Sequence, residues 1–548
     1  RPLSGGSYRI KKDVRDELLE NPLTPTADGL GTRYSALYLR EDDFENTKWR
    51  MNAQTSSVSA QGKIDVNTGP TVNLTFGGSY NYAWGNIYSR SGSLFNFSNF
   101  GAYQNTDYRV YGRVTQRFSN DTEEGSSSKV KSAFYSLMVD YSKTKRNRFD
   151  PKHEYNLFNY GHVGTFDLRR ERTYDRIENG EHFQEANAPV VDVQFTGSET
   201  NSALAAQTTQ YFGLYDYETN WQDEEHYRNF DQVRQGGGLV NGSTPNSVYT
   251  IWDNIGSPYN YFQKTENDQI RATGSGAVNI GDHSISLGFE YEQRYDRGWT
   301  SGTASGGGGN GPIGLWNLAR QYTNSHISQI DINSGTPWYN AEQGAIYVDY
   351  EPLNTGYSSQ YNTDEYLGNY DEGGSNVTNN QAFFDYNLRD YLNTNGLIST
   401  GVADEEFINI DQYDPNIFTL DMFSPDELLN SGSSYVSYWG YDHTGTKVKG
   451  ATDIKKYFEE LDDNGNYSRF VGAYQPTYIA GYLMDKFSFR DIVFNVGVRV
   501  DVFDANQPVL KDKYLVYEAQ TVSQASAVWG DNIPTSMGND YVVYVDDV

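Results

Sequence analysis

The chain has 548 residues, with 15% aromatic residues, 53 Gly, 16 Pro and no Cys, and its formal net charge is −29. This composition excludes disulfide frameworks and thiolate metal sites, and it is too aromatic for a disordered chain. Its acidity argues against a nucleic-acid partner, and with a mean hydropathy of −0.72 and no apolar run of 18 residues it supplies no spanning helix.

In chain order, residues 1–56 show no clear period. They begin Arg1-Pro2, without a basic or apolar leader, so a signal peptide is read as already removed or the chain as part of something longer. From 57 onward the pattern becomes period two. Val72, Leu74, Phe76, Gly78, Tyr80, Tyr82 and Trp84 alternate with Thr71, Asn73, Thr75, Gly77, Ser79, Asn81 and Ala83. In a strand these sets face opposite sides, one apolar and one polar. The reading gives about ten strands, at 57–66, 71–84, 107–118, 130–145, 158–170, 207–220, 268–280, 283–297, 474–489 and 492–504. Most exceed the roughly 5–6 residues of a globular strand and match the 9–11 or more of a tilted membrane strand. The expected fold class is therefore all-β, a transmembrane antiparallel β-barrel seen in part, with long loops and a few short loop helices.

The connections alternate in length. Asn67-Thr68-Gly69-Pro70, Gly281-Asp282 and Arg490-Asp491 are tight turns, whereas 85–106, 221–267 and 298–473 are long. Taking 57–66 as descending puts all three tight turns on the periplasmic side and all three long links outside. The link 171–206 breaks this rule, being long on the short-turn side. Tyr80, Tyr82 and Trp84 fall at the outer end of their strand and Phe487 and Phe489 at an inner end, where interfacial aromatics belong. The expected organisation is 1–56 extracellular, 57–297 barrel strands with loops, 298–473 an extracellular cap, 474–504 a barrel hairpin and 505–548 a further outer loop. With no strand found to precede 57–66, the chain reads as an internal portion of a larger barrel.

The loops carry little chemistry. The seven His are scattered, no HExxH, GxSxG or phosphate-loop motif occurs, and the Gly-rich run 302–311 has no Lys. No catalytic residue, metal site or cofactor is expected, and the chain is read as a non-enzyme. Glu460-Leu461-Asp462-Asp463-Asn464-Gly465 partly copies a calcium loop, but Val471 stands where the closing Glu should be, so an Asx turn is the better reading. The segment 351–470 holds 21 Asp and Glu against 6 Lys and Arg. Within it Ser424-Pro425-Asp426-Glu427 has the form of a capped helix start, and Ile454, Tyr457, Phe458 and Leu461 have the spacing of a core-facing helix. The ligand-contact candidates are the loop tryptophans Trp316, Trp338 and Trp439.

One stretch carries a resemblance. Ala480-Gly481-Tyr482-Leu483-Met484-Asp485-Lys486-Phe487, followed by Phe494-Asn495-Val496-Gly497-Val498-Arg499-Val500-Asp501-Val502-Phe503-Asp504-Ala505-Asn506-Gln507, resembles a hairpin of large TonB-dependent outer-membrane receptors of Bacteroidota, the Oar-like group. Tyr111-Gly112-Arg113-Val114-Thr115-Gln116-Arg117-Phe118, Gly288-Phe289-Glu290-Tyr291-Glu292-Gln293-Arg294 and Met422-Phe423-Ser424-Pro425 are similar in the same order. The resemblance implies a 22-stranded barrel in the bacterial outer membrane that binds a large ligand through its loops and imports it. It implies membrane lipid and TonB as partners, TonB acting through a segment not found here, and an envelope or surface lipoprotein as a further partner. Neither plug nor TonB box is found in these residues. The alternative is a non-transporting outer-membrane scaffold whose loops bind another envelope or secreted protein.

Overall fold

In the computed structural model the described residues are 7–27, 31–119, 130–170, 174–176, 182–184, 190–214, 229–302, 310–324, 333–350, 381–398, 407–509, 519–529 and 536–543. The fold is all-β in class, and no helix among these residues is long and apolar enough to cross a membrane. Its framework is one nine-stranded antiparallel sheet. The strands are β1 (Thr55–Asn67), β2 (Val72–Ile87), β3 (Gly101–Ser119), β4 (Val130–Phe149), β5 (Phe262–Ile280), β6 (His283–Ser301), β7 (Val436–Trp439), β8 (Thr477–Phe489) and β9 (Ile492–Asp504).

Eight of them form a meander in the order β9-β8-β6-β5-β4-β3-β2-β1. The ninth, β7, pairs with the last four residues of β6, where β8 no longer reaches. The outer edges of β1 and β9 have no strand partner among the described residues.

Register explains the alternation. One row crosses the sheet through Val66, Leu74, Val114, Leu137, Gly274, Phe289, Gly481 and Val500. The next row holds Ile64, Phe76, Gly112, Val139, Ala272, Tyr291, Ile479 and Val502. This apolar face is uncovered: Ile64 is 66% exposed, Val139 59%, Phe289 51% and Val500 61%. The opposite face is polar and tied by charge. Asp140 accepts Arg109 Nε and Arg271 Nε at 3.1 Å each, and Arg271 reaches Glu290 at 3.7 Å. These bonds cross four strands, so the polar face holds itself together sideways as well as through the backbone ladder.

Two of the expected strands are corrected. Residues 207–220 do not begin a strand: Ser202–Leu214 is a helix, α1. Its buried Leu204, Ala205, Thr208 and Tyr211 follow helical spacing, and Ala-rich sequence favours helix. Residues 215–220 lie outside the described ones. The segment 158–170 divides. Leu157–Gly161 is a 3-10 turn, and Gly164–Arg170 pairs with Val190–Gly197 in a hairpin separate from the main sheet.

With these two removed, the sheet has its connections sorted by edge. The turns 68–71, 281–282 and 490–491 lie at one edge, and 88–100, 150–261 and 302–476 at the other. The misfit at 171–206 disappears, because that stretch is the interior of the single long link between β4 and β5. Gly281 has φ of +61° and Arg490 of +55°, the left-handed backbone that two-residue hairpin turns need.

Residues 7–27 and 31–54 belong to the long-link edge. Ile10, Leu18 and Ala36 pack there with Phe95, Val248 and Ile255, and Asn52 donates to the Phe97 carbonyl at 2.6 Å.

Candidate functional site

The two longest links fold together into a cap and share one large apolar core, beside which the first link builds two smaller ones. Leu157, Phe158 and Tyr160 come from the first link, and Trp316, Phe384, Phe418 and Phe423 from the second. Phe262 and Trp299, at the cap ends of β5 and β6, join the same core. Described residues of the expected cap 298–473 thus share their core with described residues of the 150–261 link.

Short helices supply much of it: α2 (Leu315–Tyr322), α3 (Phe383–Thr394) and α4 (Pro425–Leu429). The expected capping at Ser424 is present. Ser424 Oγ accepts Glu427 N at 3.3 Å, and Glu427 returns by accepting Ser424 N at 2.8 Å. Glu427 also accepts Phe384 N at 3.3 Å, so one carboxylate caps α4 and the first turn of α3. It is fully buried, and burial outweighs those donors and pushes its carboxyl up to about 7.

Buried charge pairs join remote segments. Arg389 bonds Asp385 at 2.8 Å inside α3 and donates to the remote Asn324 at 2.8 Å. Arg320 grips Asp411 with two nitrogens at 2.7 and 2.8 Å, and Asn241 adds a bond to Asp411 at 3.0 Å. Asn241 Oδ1 in turn accepts Val163 N and Gly164 N. Each of these groups is committed to a neighbour, which suits structural ties rather than chemistry.

A cleft of about 280 Å³ opens on the cap between 155–159, 415–421 and 444–446. Tyr155, Phe158, Phe418 and Leu420 give it an apolar floor, and Asn156, Asn159, Asn416, Thr419, Asp421, Thr444 and Thr446 give it a polar rim. Tyr155 donates its hydroxyl proton to the Thr444 carbonyl, and burial, helped by Asp421 and Asp442, pushes that phenol up to about 12. Asn159 Oδ1 has no hydrogen-bond partner. The rim offers amides, hydroxyls and one carboxylate but no cation. It suits a ligand group bearing hydroxyl, amide or positively charged functions, and it contains no nucleophile beside a base.

The three tryptophans are not brought together. Trp316 is fully buried behind the cleft floor; its indole N–H donates to the Phe158 carbonyl at 2.8 Å, and its ring stacks on His162. Trp338 is half-exposed on a separate strand, Thr336–Asn340, stacked on Tyr347 at 5.0 Å. Trp439 lies on β7, where its ring occupies the space a side chain at residue 298 would need, which is why Gly298 stands there. The cleft residues Tyr155, Asn159, Asn416 and Asp421 were not singled out by sequence, since Asn and Thr in loops carry no pattern.

His162 and His153 are buried and His443 is half-buried; burial holds all three imidazoles below their ordinary range, His162 at about 4. The 460–465 segment is an Asx turn: Asp462 Oδ1 accepts Asn464 N at 2.9 Å and Asn466 N at 2.8 Å. Among the described residues no group of three or more His, Asp or Glu is arranged to hold a metal. The Gly-rich residues 303–309 lie outside the described ones. The helix expected over Ile454–Leu461 forms as α5 (Ile454–Glu459), but it does not face a core: Ile454 is 56% exposed, Phe458 57% and Leu461 52%. No protein-family model, no curated protein and no solved structure matches this chain.

Proposed function

We propose that the eight long strands form part of the wall of a transmembrane antiparallel β-barrel in the bacterial outer membrane. The barrel acts as a TonB-dependent receptor and transporter, whose external cap takes a large ligand for import. The observation that carries this reading is the exposed apolar face. Eight strands at about 4.8 Å spacing are about 38 Å wide. Along β9 the apolar set runs from Ile492 to Val502, a rise of ten steps or about 33 Å, which at a tilt near 40° is a band about 25 Å tall. The product is roughly 1,000 Å², well beyond the few hundred Å² that soluble monomers leave bare. A hydrocarbon environment suits such a face.

The sorting of connections supports the same orientation, with tight turns at the periplasmic edge and the cap outside. The unpaired edges of β1 and β9 fit neighbours in a larger closed barrel, 22-stranded by the resemblance. Spin labels on the full-length protein test the wall. Labels at Phe76 and Val496 should be accessible to oxygen dissolved in lipid, and labels at Asn73 and Asn495 to a water-soluble relaxant. Equal water access at all four would remove the membrane assignment. Import is tested separately: loss of TonB should abolish uptake and leave surface binding intact.

A second reading, an outer-membrane scaffold that binds another envelope protein, is favoured by one observation, the bare Ile454–Phe458–Leu461 stripe on the cap. A stable partner lost on Phe458→Asp, with no energy-dependent uptake, would select it.

A further inference from the structure

On the apolar side of the sheet, the first rows beyond the band toward the cap are charged. Lys143 and Asp268 stand opposite each other on β4 and β5, and the next row holds Lys145, Glu266 and Arg297. Lys447, from the hairpin that follows β7, adds its ammonium to Glu266. Lys143 lies 2.8 Å from Glu266 and 2.9 Å from Asp268, Arg297 lies 2.6 Å from Asp268 and 3.6 Å from Glu266, and Lys145 lies 3.9 Å from Glu266. Tyr141 adds a hydroxyl donor to Asp268 at 2.9 Å.

Four cations thus surround two carboxylates, an excess of two positive charges in a chain whose net charge is −29. The arrangement is also sorted by depth. The Glu266 and Asp268 side chains are 6% and 14% exposed, while Lys145 and Lys447 are 53% and 44% exposed. The carboxylates are sunk against the sheet, whereas the Lys145 and Lys447 ammonium groups, which share Glu266, stay half-exposed at the rim of the apolar band. One row further toward the cap, Lys264 has Asp442 as its facing carboxylate.

We propose that Lys145 and Lys447 form a binding site for the phosphate of a membrane lipid whose headgroup carries net negative charge, one with no cation of its own beside the phosphate. A ligand here must carry negative charge at headgroup depth and an apolar tail that descends over Val139, Ala272 and Ile270. A lipid phosphate meets both demands, whereas free phosphate meets only the first. The inference rests on the bilayer reading given above. Lysines held near an anionic surface are worth about 1 kcal/mol each, about fivefold in lipid preference.

The test uses the full-length protein in bilayers doped with spin-labelled lipid. Motionally restricted phosphatidylglycerol should exceed restricted phosphatidylcholine by about fivefold or more, and inorganic phosphate should not abolish the excess. Lys145→Gln with Lys447→Gln should bring the ratio near one while total restricted lipid stays constant. This variant leaves Lys143 and Arg297 on the carboxylates, so the sheet is retained. An unchanged ratio in the variant, or displacement by inorganic phosphate alone, overturns the site and leaves the barrel standing. Absence of restricted lipid of either kind overturns the site together with the bilayer reading.

Discussion

Leu137→Arg puts the bilayer assignment to a quantitative test. Leu137 is flanked by Val114 on β3 and Gly274 on β5, and it is 47% exposed on the apolar face. On its own strand the charged rim begins at Lys143, six residues away, about 20 Å along the strand or about 15 Å in depth at a 40° tilt. That places Leu137 near the middle of a band about 25 Å tall. An arginine stem cannot reach either interface from there, so the charge must draw in water or distort the bilayer, at a cost of about 2–4 kcal/mol. The neighbouring Ser136 points to the polar face, opposite Ser275 and Thr115, and Ser136→Arg should change stability by much less. The assay is a reversible folding titration of the full-length protein into vesicles, read by heat-modifiable mobility and repeated in thinner bilayers. The penalty at 137 should shrink as the bilayer thins. If the face were bathed in water, Leu137→Arg would be neutral. If another protein layer covered it, the penalty would be large and independent of thickness. Either outcome refutes the reasoning.

His162 is buried with both ring nitrogens unpartnered, so His162→Phe should leave stability at neutral pH equal or raise it by about 1–2 kcal/mol. Because its folded pKa, about 4, lies below the ordinary 6.5, the unfolded chain binds the proton more tightly; stability is intact above pH 6.5 and falls by about 3 kcal/mol as pH drops through 4. The variant should lose that part of the acid response in denaturant titrations at pH 7 and pH 4, and an unchanged response would place the titration elsewhere. Lys264 sits among the rings of Tyr155, Trp299 and Tyr441 at 5.1–5.5 Å and donates to the Gly445 carbonyl at 2.6 Å. Lys264→Met should cost about 1–3 kcal/mol locally and accelerate amide exchange at residues 442–447; protection equal to the parent would show that the cage does not hold the hairpin. An epitope inserted at the Asp462–Asn466 turn should bind antibody on intact cells, and one inserted between Gly281 and Asp282 only after permeabilisation. The reverse result would invert the orientation.

The sheet was legible because long strands with one apolar face repeat the same period-two message eight times. Where the message stopped, so did the reading. β3 was expected from 107 but begins at Gly101, since Gln104 and Thr106 lie above the apolar band and no longer alternate with a polar side. The cap was illegible for a different reason. Its contacts join residues far apart in sequence: Phe158 packs on Phe418 at 5.2 Å, and Asn159 faces Asn416 at 3.5 Å. No local period encodes such pairs, so the cleft they line could not be anticipated. The Ile454–Leu461 spacing gave the helix correctly, but spacing alone does not say what, if anything, covers the apolar stripe.

The two misread segments, 158–170 and 207–220, nevertheless left the sidedness of the chain intact, and the reason is arithmetic. They were consecutive, and removing two strands from an antiparallel meander leaves the direction of every later strand unchanged. The turns at 281–282 and 490–491 therefore stay on the edge of 68–71 whether or not those strands exist. What changes is the loop edge. Three shorter connections merge into one link of 150–261, long enough to fold against 302–476 and share its core. The cap is thus a consequence of the correction: Trp316 from one link is closed in by Phe158 from the other, and neither could bury its ring alone. The cleft at Tyr155, Asn159, Asn416 and Asp421 lies on the joint between the links, so its surface is built by both. A substitution that loosens the tie between the links, such as Asp411→Ala, which removes the acceptor of Asn241 from the other link, should therefore weaken any ligand binding at the cleft in a titration of the full-length protein without touching a strand.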